Sequence, residues 1–201
     1  MNESKLSRKE RAQFTRQKLV DAALDLFFEK GYDNVTVDDI CEKAGVSKGA
    51  FYGHFKSKDQ AVVEEFLKVD DYYQEMLPQI LQEKSYVDKG IAFVRLALRY
   101  ISSQGEMVIR VAYSSQISPG RKISPIASSD RVLYRLAEGL VKEAQKAGEV
   151  RQDLDSVEIA EVIIRAIRGT VYDWCLQDGG FDLEAAAIPL ASIFTDGLIP
   201  R

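Results

Sequence analysis

Apolar residues recur through this chain at spacings of three and four, and nowhere over a useful length do they alternate with period two. That pattern belongs to amphipathic helices and leaves no strand to build a sheet, so an all-α fold is expected. In the first long segment Val20, Ala23, Leu24, Phe27 and Phe28 form one stripe. Ser7 and Glu10 have capping-box spacing before it and Gly31 can stop it, predicting a helix over 8–30. A short second helix opens at Thr36, where Asp38 and Asp39 complement the helix dipole, and ends at Gly45. Val37, Ile40, Cys41 and Ala44 make its buried stripe. Ser47 caps a third helix, Lys48–His54, with Phe51 and Phe55 on one side and Lys48 and Tyr52 elsewhere. Ser57 and Gln60 then open a longer helix, expected to run to about Pro78.

Several function classes fall on composition. No apolar run approaches the roughly 18 residues of a membrane span, and the first 20 residues are polar and charged, which reads as a cytoplasmic protein with no membrane partner. Cys41 and Cys175 are far apart and His54 is the only histidine. That leaves no Cys/His metal site and no disulfide framework, and no cofactor is implied. With no Gly-rich phosphate loop and no spaced carboxylate motif, the chain does not read as an enzyme.

Charge is distributed unevenly. The whole chain carries -4, but residues 1–20 carry six basic groups against two acidic ones. A basic arm before an acidic body fits an anionic partner touched at one end, and equally a solvated tail. The arm precedes a helix, a Gly-containing turn at Ala44, Gly45 and Val46, and a short second helix with a polar outward face bearing Lys48, Tyr52 and His54. That is the pattern of a helix-turn-helix.

Residues 22–60, AALDLFFEKGYDNVTVDDICEKAGVSKGAFYGHFKSKDQ, resemble the DNA-binding domain of the TetR (tetracycline repressor) family of bacterial transcriptional regulators. The carrying elements are A-x-x-L-F-x-x-x-G-Y, T-x-x-x-I-x-x-x-A-G-V-S and Y-x-H-F-x-S-K. The resemblance implies a three-helix head and arm over 1–58 and a helical ligand-binding and dimerisation domain over 59–201. It also implies that Lys48, Gly49 and Ala50 face base edges in the major groove, and that Thr36, Ser47, Tyr52, His54 and Lys58 hold phosphates. Lys48 is the one long donor among the three base-facing positions, so DNA shape or the arm from Lys5 to Arg11 is expected to add to sequence discrimination.

Beyond residue 79 helices are expected at about 86–103, 105–115, 129–147, 156–177 and 183–198, with Pro189 kinking the last in its middle. Ile159, Ile163, Ile167 and Thr170 lie on one stripe and Leu190 and Phe194 on another. In the family such helices pair with their mates in a homodimer; ordinary intramolecular core is the other reading. Phe93, Tyr100, Met107, Tyr113, Tyr134 and Trp174 suit a mostly apolar pocket with a few orienting hydrogen bonds, or plain core. The Ser-rich stretch from Ser114 to Asp130 is long for a connection in a compact domain and is expected to flank the pocket mouth. The expectation is a dimeric repressor that binds a near-palindromic double-stranded operator and is released by a small-molecule effector, the helix from Ser57 transmitting the change. A regulator governed by a protein partner is the alternative, and a helical enzyme of similar fold is a remoter one.

Overall fold

The computed structural model describes residues 7–116 and 125–200. Among them lie ten α-helices and no strand. The chain divides into two compact units, residues 1–67 and 68–201.

The first unit holds α1 (Arg8–Lys30), α2 (Val37–Ala44), α3 (Lys48–His54) and α4 (Lys58–Leu67). Ser7 accepts from the Glu10 amide while the Glu10 carboxylate accepts from the Ser7 amide, the expected reciprocal cap. The buried face of α1 is Leu19, Val20, Ala22, Ala23, Leu26 and Phe27, so that Val20, Ala23 and Phe27 of the expected stripe lie on it while Leu24 is half-buried and Phe28 is 83% exposed. The reason is that α1 packs against α2, α3 and α4 together, and their shared apolar surface selects that face. Ile40, Phe51, Phe55, Ala61 and Val62 close the core, each at most 1% exposed. Because α4 supplies part of this core, the unit continues nine residues past the expected limit at residue 58.

The helix expected to run unbroken from Ser57 to Pro78 divides at Lys68 into α4 and α5 (Val69–Leu81). Helix α5 also continues through Pro78. Met76 and Ile80, buried on either side, hold the last turn in place although proline offers no amide to it.

The rest of the second unit comprises α6 (Tyr86–Ser103), α7 (Glu106–Gln116), α8 (Val132–Lys146), α9 (Ser156–Leu176) and α10 (Ala187–Leu198). Helix α6 packs against α5, α8, α9 and α10, and Phe93, Leu96, Ala97, Leu98 and Ile101 bury it on most sides. Helix α10 begins at Ala187, four residues later than expected. Pro189 therefore sits in the first turn, where a missing amide costs no intrahelical bond, and no mid-helix kink is needed. Helix α8 begins at Val132 because Arg131, extended at ψ 152, is its N-cap and turns its side chain inward. Part of the Ser114–Asp130 stretch is helical to Gln116 and forms a 3-10 turn at Pro125–Ala127; residues 117–124 lie outside the described residues.

Candidate functional sites

The outward face of the head is built from two helix starts. Thr36 caps α2: its hydroxyl accepts from the Asp39 amide at 3.2 Å and gives its proton to the Asp39 carboxylate. The same Thr36 hydroxyl, and then the Thr36 amide, hold the Asp39 carboxyl below the usual carboxylate range. Thr36 thus has no proton left for a phosphate while the cap is intact. Ser47 caps α3 by accepting from the Ala50 amide at 3.2 Å. Its own proton meets no acceptor among the described residues and remains available.

Gly45 makes the turn between these helices. It lies in the left-handed region at φ 68, and the amides of Gly45 and Val46 close on carbonyls of the last turn of α2. Phe51, fully buried, anchors α3 against the core, its ring 5.4 Å edge-on from Tyr52 and 5.7 Å from Phe55. That anchoring sends Lys48, Gly49 and the 57%-exposed Tyr52 outward, with Ala50 and His54 half-buried beside them. A Cβ at Gly53 would meet nothing within 4 Å among the described residues beyond its chain neighbours and its own helix backbone.

Besides Thr36, two head residues depart from their expected roles in ways that only geometry reveals. Lys58, expected at a phosphate, donates to the carbonyls of Tyr32 at 2.7 Å and Val35 at 2.9 Å, its ammonium 4.0 Å above the Tyr32 ring. Two of its three donors therefore tie the α1–α2 connection to the start of α4. Asp38, which the sequence marks only as a dipole partner, pairs with Lys48 at 2.7 Å. Its place two residues after a cap is the sole sequence signal, and a routine one.

The second unit contains an apolar slot between α6, α8, α9 and α10, with about 60 Å³ of free volume. Tyr86, Phe93, Ala137, Val141, Phe194 and Leu198 are among its walls. That volume is small beside the ~300–1,000 Å³ of sites that enclose a drug-sized ligand. Of the six aromatic and Met candidates, Phe93 alone lines it. Tyr100 stacks on Tyr72 with centroids 4.5 Å apart, and the buried Trp174 donates its indole N–H to the Phe181 carbonyl at 3.0 Å. Met107 is half-buried on α7 and away from the slot.

Tyr113 and Tyr134 belong to a separate polar cluster. Arg131, 8% exposed, holds Asp70 through two hydrogen bonds, at 2.8 and 3.2 Å, and donates to the Ile126 carbonyl at 3.2 Å. Arg168 donates to that same carbonyl and to the Tyr134 hydroxyl at 2.8 Å, lying 5.3 Å over the Tyr134 ring. Burial pushes the Tyr113 phenol up to about 12 against the opposing pull of Arg168 and Arg131. Neither arginine stands out in the sequence, where each reads as one more surface charge.

Among the described residues nothing covers the remaining face of α9 and α10. Val162, Tyr172, Leu176, Ile188 and Ile193 are between 47% and 71% exposed on it, and Gly169 lies there with no described atom, beyond its chain neighbours and its own helix backbone, within 4 Å of where an added methyl would stand. The expected dimer residues divide accordingly. Ile159 and Ile167 are 4% exposed and face the protomer's own core, because the helix turns its i, i+4, i+8 row inward. Ile163 and Phe194 line the slot, and Thr170 and Leu190 are half-buried. Among the described residues no helix is long and apolar enough to cross a membrane, and no group of three or more His, Cys, Asp or Glu could hold a metal ion.

Comparison with known proteins agrees with this architecture. Residues 19–64 match the model of bacterial regulatory proteins of the tetR family, and residues 66–197 match that of the YsiA-like protein C-terminal region. The HTH-type transcriptional regulator YdeS of Bacillus subtilis (strain 168) is 31% identical over 81% of this chain and 78% of its own. The fatty acid metabolism regulator protein of the same organism is 23% identical over 90% and 93%. Among solved structures, Thermus thermophilus FadR, a TetR-family transcriptional repressor in complex with lauroyl-CoA, superposes with a TM-score of 0.69 at 18% identity, covering 92% of this chain and 96% of that one. The two-helix reading head, the separate helical body and these matches together make the chain a member of the TetR family, a ligand-responsive DNA-binding transcriptional regulator.

Proposed function

We propose that the chain is a repressor that binds its operator as a homodimer and is released by a long-chain acyl-CoA thioester. The observation that carries the DNA half is the anchoring of α3 by Phe51, which presents Lys48, the Ser47 proton and Tyr52 on one outward face. Lys48 reads a base edge, with Gly49 and Ala50 permitting close approach, while Ser47, Tyr52 and His54 hold phosphates. The uncovered α9–α10 face, with Val162, Tyr172 and Ile193, pairs with its copy and sets the spacing of the two heads.

The effector half rests on the apolar slot together with the YsiA-like match and the fatty-acid regulator among the relatives. An alkyl chain must part the slot's walls to enter, so it favours a conformer different from the closed one. Operator release follows from that differential affinity. The test is fluorescence anisotropy on fragments of the protein's own upstream region, across a salt series, with Lys48→Ala and Tyr52→Ala beside the parent. Salt-sensitive selective binding, lost in the variants and weakened about 5- to 150-fold by lauroyl-CoA, is expected. Selective binding indifferent to lauroyl-CoA overturns the effector reading and favours control by a protein partner.

A further inference from the structure

Among the described residues the Arg131–Arg168 cluster brings two guanidiniums to one carboxylate. Two guanidiniums converge on one acceptor, the Ile126 carbonyl, and repel each other there. Asp70 neutralises Arg131. Arg168 meets a hydroxyl, a carbonyl and an aromatic face, but no carboxylate among the described residues. One positive charge in a half-buried site is thus left without a carboxylate among them, and it can take an anion that reaches it.

The cluster is also in register with the slot. Tyr134, Ala137 and Val141 stand at i, i+3 and i+7 on α8, so one stripe runs from the hydroxyl that Arg168 engages to two walls of the slot. Tyr134 to Ala137 is about 4.5 Å along the helix, and to Val141 about 10.5 Å. The cluster thus lies one helical turn along α8 from Ala137, the wall of the slot nearest to it on that stripe.

We infer that Arg131 and Arg168 receive the oxyanion of an amphiphilic effector, in competition with the carboxylate of Asp70. The inference rests on the alkyl-chain half of the effector reading above and places a chain-end phosphate or carboxylate next to the slot, since an acyl-CoA carries its phosphates beyond a neutral thioester and pantetheine arm. Planar guanidinium forks suit phosphate or carboxylate oxygens, two to each fork. Asp70 lies in the first turn of α5, three residues after the last residue of α4. An anion that takes over Arg131 therefore releases the ion pair that ties that turn to the start of α8. The head group and the alkyl chain then act on the same body from two sides.

Titration calorimetry with the full chain tests this, using dodecyl phosphate, dodecanol and lauroyl-CoA below their aggregation limits. The parent is expected to bind dodecyl phosphate about tenfold or more tighter than dodecanol. Arg168→Gln should erase that preference while leaving dodecanol binding unchanged. Asp70→Asn, which removes the competitor, should tighten dodecyl phosphate binding about 3- to 10-fold, a gain that a damaged fold cannot produce.

Equal affinity of the parent for the phosphate and the alcohol, or no binding of either, overturns the inference. So does an undiminished preference in Arg168→Gln. If Arg168→Gln also loses dodecanol, its fold is impaired and Asp70→Asn decides: no gain overturns. Arginine-dependent binding of dodecyl phosphate without binding of lauroyl-CoA retires the thioester reading alone. Lauroyl-CoA binding with no preference of the parent for dodecyl phosphate over dodecanol retires this inference alone.

Discussion

Replacing Lys58 by Met separates two roles that the family resemblance and the geometry assign differently. The substitution keeps most of the stem and removes the ammonium. It strips the Tyr32 and Val35 carbonyls of their charged donor and the Tyr32 ring of its cation. Hydrogen bonds to charged groups contribute about 1.5–3 kcal/mol each and an exposed cation–π contact about 0.5–1. The site is half-exposed and the contacts share one group, so a loss of about 2 kcal/mol is the working figure. In a unit of this size each kcal/mol moves the midpoint by about 4–8 °C. The assay must see the head itself, because Trp174, the only tryptophan, lies in the other unit. Hydrogen exchange across residues 32–45 is suitable, and a loss of about 2 kcal/mol accelerates it about thirtyfold. The slope of operator affinity against salt should be unchanged, since Lys58 spends its donors inside the head. Unaltered exchange with the slope reduced by about one would refute this reasoning and return Lys58 to a phosphate.

Three further outcomes follow from individual contacts. Ile164→Ala, at a fully buried position on α9, should cost about 2–5 kcal/mol, measured by urea unfolding with Trp174 emission as the signal. Thr36→Ala should lower the head's melting point and Thr36→Ser should restore it. Because the Asp39 carboxyl is held low, its stabilisation is present above the ordinary carboxylate pKa and lost as pH falls through the lowered value, so the acid limb of a pH–stability curve should flatten in Thr36→Ala. Burial first, and Glu106 second, push the Cys175 thiol from 9.0 to about 11. Its thiolate fraction at pH 8 is therefore about a hundredfold below normal, and alkylation should be slow until denaturant is added.

What can be read from sequence is what local chemistry decides. The Ser7–Glu10 box, the caps at Thr36 and Ser47 and the stop at Gly45 each use residues within four positions, and all appear where expected. The departures come from contacts distant in sequence. The buried face of α1 is chosen by three other helices, and the division at Lys68 and the persistence of α5 past Pro78 depend on what packs around them. The same holds at the sites. Phe51 and Phe55 can be assigned to the core from their spacing, whereas Lys58 reaches carbonyls 23 and 26 residues away and Arg131 a carboxylate 61 residues away. No periodicity encodes those distances.

Gly169 gives the uncovered face of α9 a thermodynamic signature of its own. A glycine inside a helix costs about 0.5–1 kcal/mol relative to alanine, and beyond its chain neighbours and its own helix backbone no atom of the described residues comes within 4 Å of where the extra methyl would stand. Within a lone protomer Gly169→Ala should therefore be a gain. Against a second helix approaching closely at that position, the same methyl is an obstruction. Stability and self-association would then move in opposite directions under one substitution, and melting curves of parent and variant would cross as protein concentration rises.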